Sequence, residues 1–269
     1  MTKILKTLAM GLCFIVFTLV SPWAHAEDLS SGKSTWEFHV IPYFWLASLD
    51  GDVTVKGIKS SVSLSASDLF DMLDYGGEVH VEAWKGRWGI FLDPTFLKLS
   101  DDGHANTGVG RIDVDVDLKE WLVEFGGLYT LGRWPLGTDG GRALALDVLG
   151  GGRYWYMKSK LNADVPLLGL SRRVEMSEDW IDPIMGARLR ADLTKKLSLA
   201  VRGDIGGFSV GSDFTWNASA ILGYHFSRTV SAWLGYRVLG VDYESGSGIS
   251  KFKYDVIMQG PIIGLGFRF

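Results

Sequence analysis

The chain ends Gly260-Pro261-Ile262-Ile263-Gly264-Leu265-Gly266-Phe267-Arg268-Phe269. Pro261, Ile263, Leu265, Phe267 and Phe269 share one parity, while Gly260, Gly264, Gly266 and Arg268 share the other. Successive side chains of a strand point to opposite faces, so this segment is a wall with one apolar side and one small or polar side. The polypeptide stops inside that strand, on an aromatic residue. A free end within a strand suits a closed sheet, where no backbone edge is left unpaired in lipid.

The same period runs backwards through the chain. Trp36, Phe38, Val40, Pro42, Phe44 and Leu46 alternate with Glu37 and His39, and Val79, Val81 and Ala83 alternate with Glu78, His80 and Glu82. Lys85-Gly86-Arg87 turns the chain into Trp88, Ile90, Leu92, Pro94 and Phe96. Further strands are expected near 111–132, 142–160, 173–192, 196–210, 213–226, 229–243 and 252–269. The apolar parity changes near Lys119, which reads as a bulge. Turns are tight at Lys85–Arg87, Leu193–Lys196 and Ser227–Thr229, somewhat longer at Arg133–Gly141, and long and polar at 48–75, 100–110, 161–172 and 244–251. Short turns at one end and long loops at the other predict an all-β fold. It would be a closed antiparallel transmembrane β-barrel of about ten strands, within a range of roughly eight to twelve. Short strand-like runs in 51–65 set the upper value. Ser67-Asp68-Leu69-Phe70-Asp71-Met72-Leu73 predicts a short helix in the first external loop, capped by Ser67 and folded over the barrel mouth.

Of 269 residues, 47% are hydrophobic and 13% aromatic, with 34 glycines and 11 tryptophans. A spanning helix needs about 20 consecutive apolar residues, and only the N-terminus approaches that. Residues 1–26 read as a secretory signal, with Lys3 and Lys6 ahead of an apolar run from Leu8 to Val20 and Ala24-His25-Ala26 before a cut at Glu27. Residues 27–269 would then form a single barrel domain. The one cysteine, Cys13, lies within the signal, so the exported chain is expected to lack disulfides and cysteine chemistry. A net charge of −4 argues against nucleic acid as a partner. Trp36, Trp88, Tyr129, Tyr154, Tyr156, Tyr224, Phe226 and Tyr236 sit on lipid-facing parities near strand ends, as aromatic girdles do.

The chain resembles a group of proteobacterial outer-membrane proteins of uncharacterised activity. Pro42-Tyr43-Phe44-Trp45-Leu46-Ala47, Leu49-Asp50-Gly51-Asp52-Val53 and Ser67-Asp68-Leu69 carry the likeness in the first part. Trp180-Ile181-Asp182-Pro183-Ile184-Met185-Gly186-Ala187-Arg188, Gly203-Asp204-Ile205-Gly206-Gly207-Phe208, Gly211-Ser212-Asp213-Phe214-Thr215-Trp216 and the terminal decapeptide carry it later. The resemblance implies location in the cell outer membrane and the barrel fold, but no settled activity. Outer-membrane lipids and lipopolysaccharide would be its surroundings. The alternating, aromatic-ended tail of Ile263, Leu265, Phe267 and Phe269 resembles the signal read by the barrel assembly machinery.

Function must come from the inward positions. Glu78, Glu82, Asp93, Glu120, Glu124 and Asp147 face inward from the first half, and Arg188, Arg190, Arg202, Arg237 and Arg268 from the second. Arg153, Asp182 and Asp204 cross that division. Charges in a confined lumen need partners, because unpaired burial is costly. They would either pair across the tube and plug it or line a narrow passive channel, and the small strand number favours a filled interior. His39 and His80 with Glu37 form a histidine–carboxylate set, more in keeping with the charge network than with a metal site. Asp101, Asp102 and His104 raise the alternative of a barrel enzyme acting on lipid, lipopolysaccharide or peptide at the rim. A solvated turn reads more simply. A surface adhesin or receptor using the first loop is a third reading. No His-Glu-x-x-His motif occurs, and no Gly-x-Ser-x-Gly nucleophile elbow is read in the chain. Gly150-Gly151-Gly152 is expected to let the wall curve rather than to hold a nucleotide. No catalytic residue, metal or cofactor is assigned.

Overall fold

The computed structural model describes residues 35–107, 110–137, 142–165 and 170–269. The signal segment and Cys13 lie outside the described residues. Twelve strands form in chain order: β1 (Glu37–Trp45), β2 (Ser48–Val55), β3 (Ile58–Leu64), β4 (Leu73–Lys85), β5 (Trp88–Thr107), β6 (Gly110–Pro135), β7 (Ala143–Val165), β8 (Leu170–Asp192), β9 (Leu197–Gly207), β10 (Phe214–His225), β11 (Val230–Ser245) and β12 (Phe252–Arg268). All neighbours are antiparallel. β1 and β4 to β12 form a ten-stranded barrel, closed by pairing of β1 with β12 from Trp45↔Ile262 to His39↔Arg268. Beyond Trp45 the chain kinks at Leu46-Ala47. The hairpin of β2 and β3 then takes over the upper half of β12, from Gln259↔Ser48 to Phe252↔Val55.

The outward parity carries an apolar belt. On β6 it runs from Trp121 to Leu131, on β8 from Ile181 to Leu189, and on β12 from Ile257 to Phe269. Eleven residues extend about 33 Å along a strand, or roughly 25 Å along the axis at a tilt of about 40°. Aromatic pairs mark both borders: Phe96 with Trp121 at 4.6 Å on the upper side, and Trp88 with Tyr129 at 4.6 Å on the lower. No helix among the described residues is long and apolar enough to cross a membrane.

Three expectations change. There is no bulge at Lys119: β5 and β6 stay in register from Trp88↔Tyr129 to Thr107↔Gly110, and the register shift on β6 lies between Thr130 and Gly132. The parity change has another cause. Above Trp121 the outer face meets water, so Lys119 and Asp115 point out while Leu118 and Leu122 point in. The same face swap explains why 100–110 and 161–172 looked like polar loops. The strands continue through most of both segments, as two long hairpins standing above the belt. The helix, α1 (Ala66–Met72), is capped by Ser65 rather than Ser67. Ser65 accepts from Asp68 N, and the Asp68 carboxylate accepts from Ser65 N at 2.9 Å, the reciprocal capping box. Donation from the Ser65 hydroxyl at 2.7 Å, and then from its backbone N–H, holds the Asp68 carboxyl below its ordinary range. No α1 residue is buried, and the helix contacts β2, β3 and β5.

Glycine bends the wall where strands approach. A Cβ on Gly151 would lie 1.9 Å from the Phe125 carbonyl oxygen, while one on Gly150 would meet nothing nearer than 3.9 Å. G151V should therefore reduce the folded fraction, read by heat-modifiable gel migration, at least several-fold. G150A should fold like the parent protein.

Candidate functional site

The inside of the tube is layered. In the middle lies an ionic layer contributed by β4 to β9 and β11. Arg153 is fully buried and donates from Nε to Glu124 Oε1 at 2.7 Å, from Nη1 to Thr215 Oγ1 at 2.8 Å and from Nη2 to Asp204 Oδ1 at 2.8 Å. Arg237 crosses the lumen to the same Glu124 at 2.8 Å and donates to Asn217 at 2.9 Å. Arg202 donates to Asp204 at 2.8 Å and sits 3.0 Å from Glu124 Oε2, an ion pair outside hydrogen-bond angles. Glu124 thus faces three guanidinium groups. A second lobe joins it. Arg190 holds Asp147 bidentately at 2.7 and 2.9 Å, Thr130 donates to Asp147 at 2.8 Å, and Arg188 bridges Asp147 to Glu82. His80 lies between Asp93 at 2.8 Å and Glu82 at 2.9 Å, and Tyr43 donates to Asp93 at 2.7 Å. Asp182 stands slightly apart, accepting from Ser212 N at 2.6 Å and Ser212 Oγ at 2.9 Å.

Above the charges the lumen is aromatic. Trp180 stacks on Tyr243 at 3.9 Å and on Trp155 at 5.5 Å, and Tyr254 meets Trp155 edge-on at 6.3 Å. Leu122, Leu239, Val241, Phe252, Val256 and Met258 complete a packed core. Such ring pairs contribute about 0.5–1.5 kcal/mol each beyond the area they bury. Arg237 joins the two kinds of layer, lying over Trp45 at 4.8 Å, while on the cavity side Arg190 lies over Trp84 at 4.7 Å.

Below the charges the tube opens into a cavity of about 1100 Å³ at the end where β1 begins and β12 finishes. Small inward residues of β9 and β10 line it: Ser198, Ala200 and Ser219.

The residues singled out from sequence divide among these layers. Glu82, Asp93, Glu124, Asp147, Arg153, Arg188, Arg190, Arg202, Asp204 and Arg237 meet in the ionic layer. Arg268 does not; it lies at the lower rim, 2.7 Å from Glu37. Glu78 accepts from the Trp45 backbone N–H at 2.5 Å. Glu120 points into the aromatic layer and, among the described residues, has no ion-pair partner. The set of Glu37, His39 and His80 is split: His39 pairs with Glu37 at 2.7 Å on the rim, while His80 is deep in the charges. No group of three metal-ligating side chains occurs among the described residues. Ile263, Leu265 and Phe269 are exposed on the apolar belt, with Phe267 on the same parity. Asp101 and Asp102 are exposed on β5, and the His104 side chain lies outside the described ones.

A Gly-x-Ser-x-Gly spacing does occur, at Gly207-Phe208-Ser209-Val210-Gly211. It forms the turn from β9 to β10, with Phe208 and Ser209 at φ 51° and 59°. An elbow needs a strand-to-helix turn, and here the turn leads to another strand. Sequence reasoning missed the inward aromatics Trp84, Trp155, Trp180, Tyr243 and Tyr254. The parity change at Lys119 was the signal for the upper ones, while Trp84 simply continues the inward parity of Glu78, His80 and Glu82.

No family model and no curated protein matches the chain. Solved structures to which it is similar include the translocator domain of autotransporter NalP from Neisseria meningitidis, at 13% identity, 90% of each chain covered and TM-score 0.41. Ail, the attachment invasion locus protein of Yersinia pestis, in complex with the heparin analogue sucrose octasulfate, matches at 14% identity, covering 87% of this chain and 98% of that one, TM-score 0.35. The outer membrane protein OprG from Pseudomonas aeruginosa matches at 14% identity, covering 90% and 99%, TM-score 0.35.

Breaking the ionic layer should be expensive, because one removed partner leaves the other charge buried. R153M should lower unfolding stability in detergent by about 3–5 kcal/mol. R268M, which removes a half-exposed rim pair, should cost less than about 1 kcal/mol. Urea titrations of the two variants compare them directly.

Proposed function

We propose that this chain is an integral outer-membrane β-barrel whose lumen is sealed by its own side chains, so that it serves the envelope as an anchored scaffold and not as an open diffusion pore. The observation that carries the reading is the filled cross-section: Arg153, Asp147, Asp182, Leu239 and Trp155 have no solvent exposure. Two consecutive layers, one ionic and one aromatic, occupy the axis. A water path would have to displace both.

The apolar belt supports a bilayer setting, since its height of roughly 25 Å matches the lipid-facing band of barrels that cross with strands. Placing the tight turns and both termini in the periplasm puts the long hairpins β5–β6 and β7–β8 outside. Their outward surface is charged, with Lys158 on Glu175 at 2.5 Å, and so is that of the β2–β3 hairpin, with Lys59 on Asp52 at 2.8 Å, as a water-facing collar requires. Lys158 in turn holds the Glu175 carboxyl below its ordinary range. Lipids and lipopolysaccharide would contact the belt. The exposed strand of Ile263, Leu265, Phe267 and Phe269 would present the terminal signal to the assembly machinery.

Planar-bilayer recording tests the sealed lumen. The purified protein should insert without steady stepwise conductance at moderate voltage. Reproducible ohmic steps from the parent protein would reject the scaffold reading in favour of a passive channel.

A further inference from the structure

The cavity below the ionic layer is blind and lined by an excess of one sign of charge. Ten lysines and arginines line it against four aspartates and glutamates. Each of those acids is already engaged. Glu37 pairs with Arg268, Glu82 with Arg188, and Asp93 with His80, while Asp192 accepts from the Ala143 backbone N–H at 3.2 Å. Of the ten cations, Arg188, Arg190, Arg202, Arg237 and Arg268 are ion-paired, and the excess lies in the others. Arg133, Lys195, Lys196 and Arg228 line the mouth, are exposed, and have no carboxylate partner among the described residues. Deeper in, Arg190 is bound to Asp147 yet keeps 33% of its side chain open to the cavity.

The register explains how these charges converge. Arg133 pairs with Ala145, which pairs with Arg190, which pairs with Ala200. Two guanidinium groups therefore flank alanines on one inward row, one face of Arg190 resting on Trp84 and the rest open to the cavity. A walled cavity with low-dielectric sides concentrates such a field. Guanidinium groups match phosphate and carboxylate oxygens in pairs.

We propose that this cup binds a small polyvalent phosphate-type anion from the chain-terminal end, using the free cations of the mouth and the open face of Arg190. The inference rests on the sealed-lumen reading, because a blind cup holds a ligand where a pore would pass it. The same phosphate chemistry is offered by a free oligophosphate and by the headgroup of an anionic phospholipid.

Isothermal titration of tripolyphosphate into the folded protein in maltoside micelles at low salt tests it. Saturable binding near one anion per barrel is expected, weakening at least about tenfold for R133E/K195E/K196E. It should also weaken as salt screens the charges. K158E, on the external collar, should leave the affinity unchanged. R228Q is the milder mouth variant if the triple change does not fold, and it should weaken binding several-fold. Absence of saturable heat, or equal loss with K158E, would overturn the proposal. Adding phosphatidylglycerol to the micelles separates the sources: competition assigns the cup to lipid headgroups, and lack of competition to a soluble phosphate. A conducting barrel that still bound the anion would sink the scaffold reading alone.

Discussion

A sheet in hydrocarbon has no water to satisfy an unpaired edge, so the seam between β1 and β12 governs everything else. Phe38 N donates to Phe269 O at 3.1 Å, and Phe269 N returns the bond to Phe38 O at 2.9 Å. The terminal residue is thus one half of the closing ladder. Above the belt the constraint relaxes. β12 changes partner from β1 to β2, and β3 pairs on one side only, with most of its residues exposed. That free edge sits where water can reach it and nowhere lower.

Closure with ten strands fixes a narrow bore, and the bore must be filled with side chains that satisfy one another. The permanent cations of the ionic layer are all arginines, and the lysines are kept to the mouth and the outer surface. A planar guanidinium can serve several acceptors at once, as Arg153 does with Glu124, Thr215 and Asp204. A lysine there would leave lone pairs unmet. Sharing also removes a weakness of isolated buried pairs. Glu124 is held by three guanidiniums, so its desolvation is offset by a group of partners instead of one. Above this level polar partners run out. Trp155 Nε1 and Tyr254 Oη make no hydrogen bond, and ring stacking takes over the filling.

Much of this was legible in the chain because a period of two survives any environment. Strand positions, the tight turns and the inward parity of Glu82, Glu124, Arg153 and Arg202 all follow from it. What the period cannot say is which face is wet. At Lys119 the alternation continues while water moves from inside to outside, so continuous strand resembled a bulge followed by a polar loop. Partner choice was equally hidden. Glu124 and Arg237 are 113 residues apart and meet only through the tube's diameter. The empty cup was hidden for a related reason: Ser198, Ala200 and Ser219 look unremarkable on separate strands and line a void only when β9 and β10 are set into the closed tube. The helix cap turned on one detail. Asp68 follows Ser65 by three positions, which permits the reciprocal bond, and Ser67 has no such partner.

The two layers that close the bore respond oppositely to their surroundings, and this bears on whether the barrel could ever gate. Salt weakens exposed charge pairs, but the ionic layer is shielded from it by burial. Strongly hydrated anions that raise ionic strength tighten apolar packing, which strengthens the aromatic layer. Agents that loosen Trp155, Trp180 and Tyr243 leave the pairs of Arg153 and Arg237 with Glu124 in place. A single stimulus therefore meets one barrier it does not weaken. A gated channel would be expected to concentrate its closure in one switchable contact. The division of the seal between two kinds of physics, with the open volume left entirely on the side of the chain termini, is what a permanently closed wall with a working inner face would require.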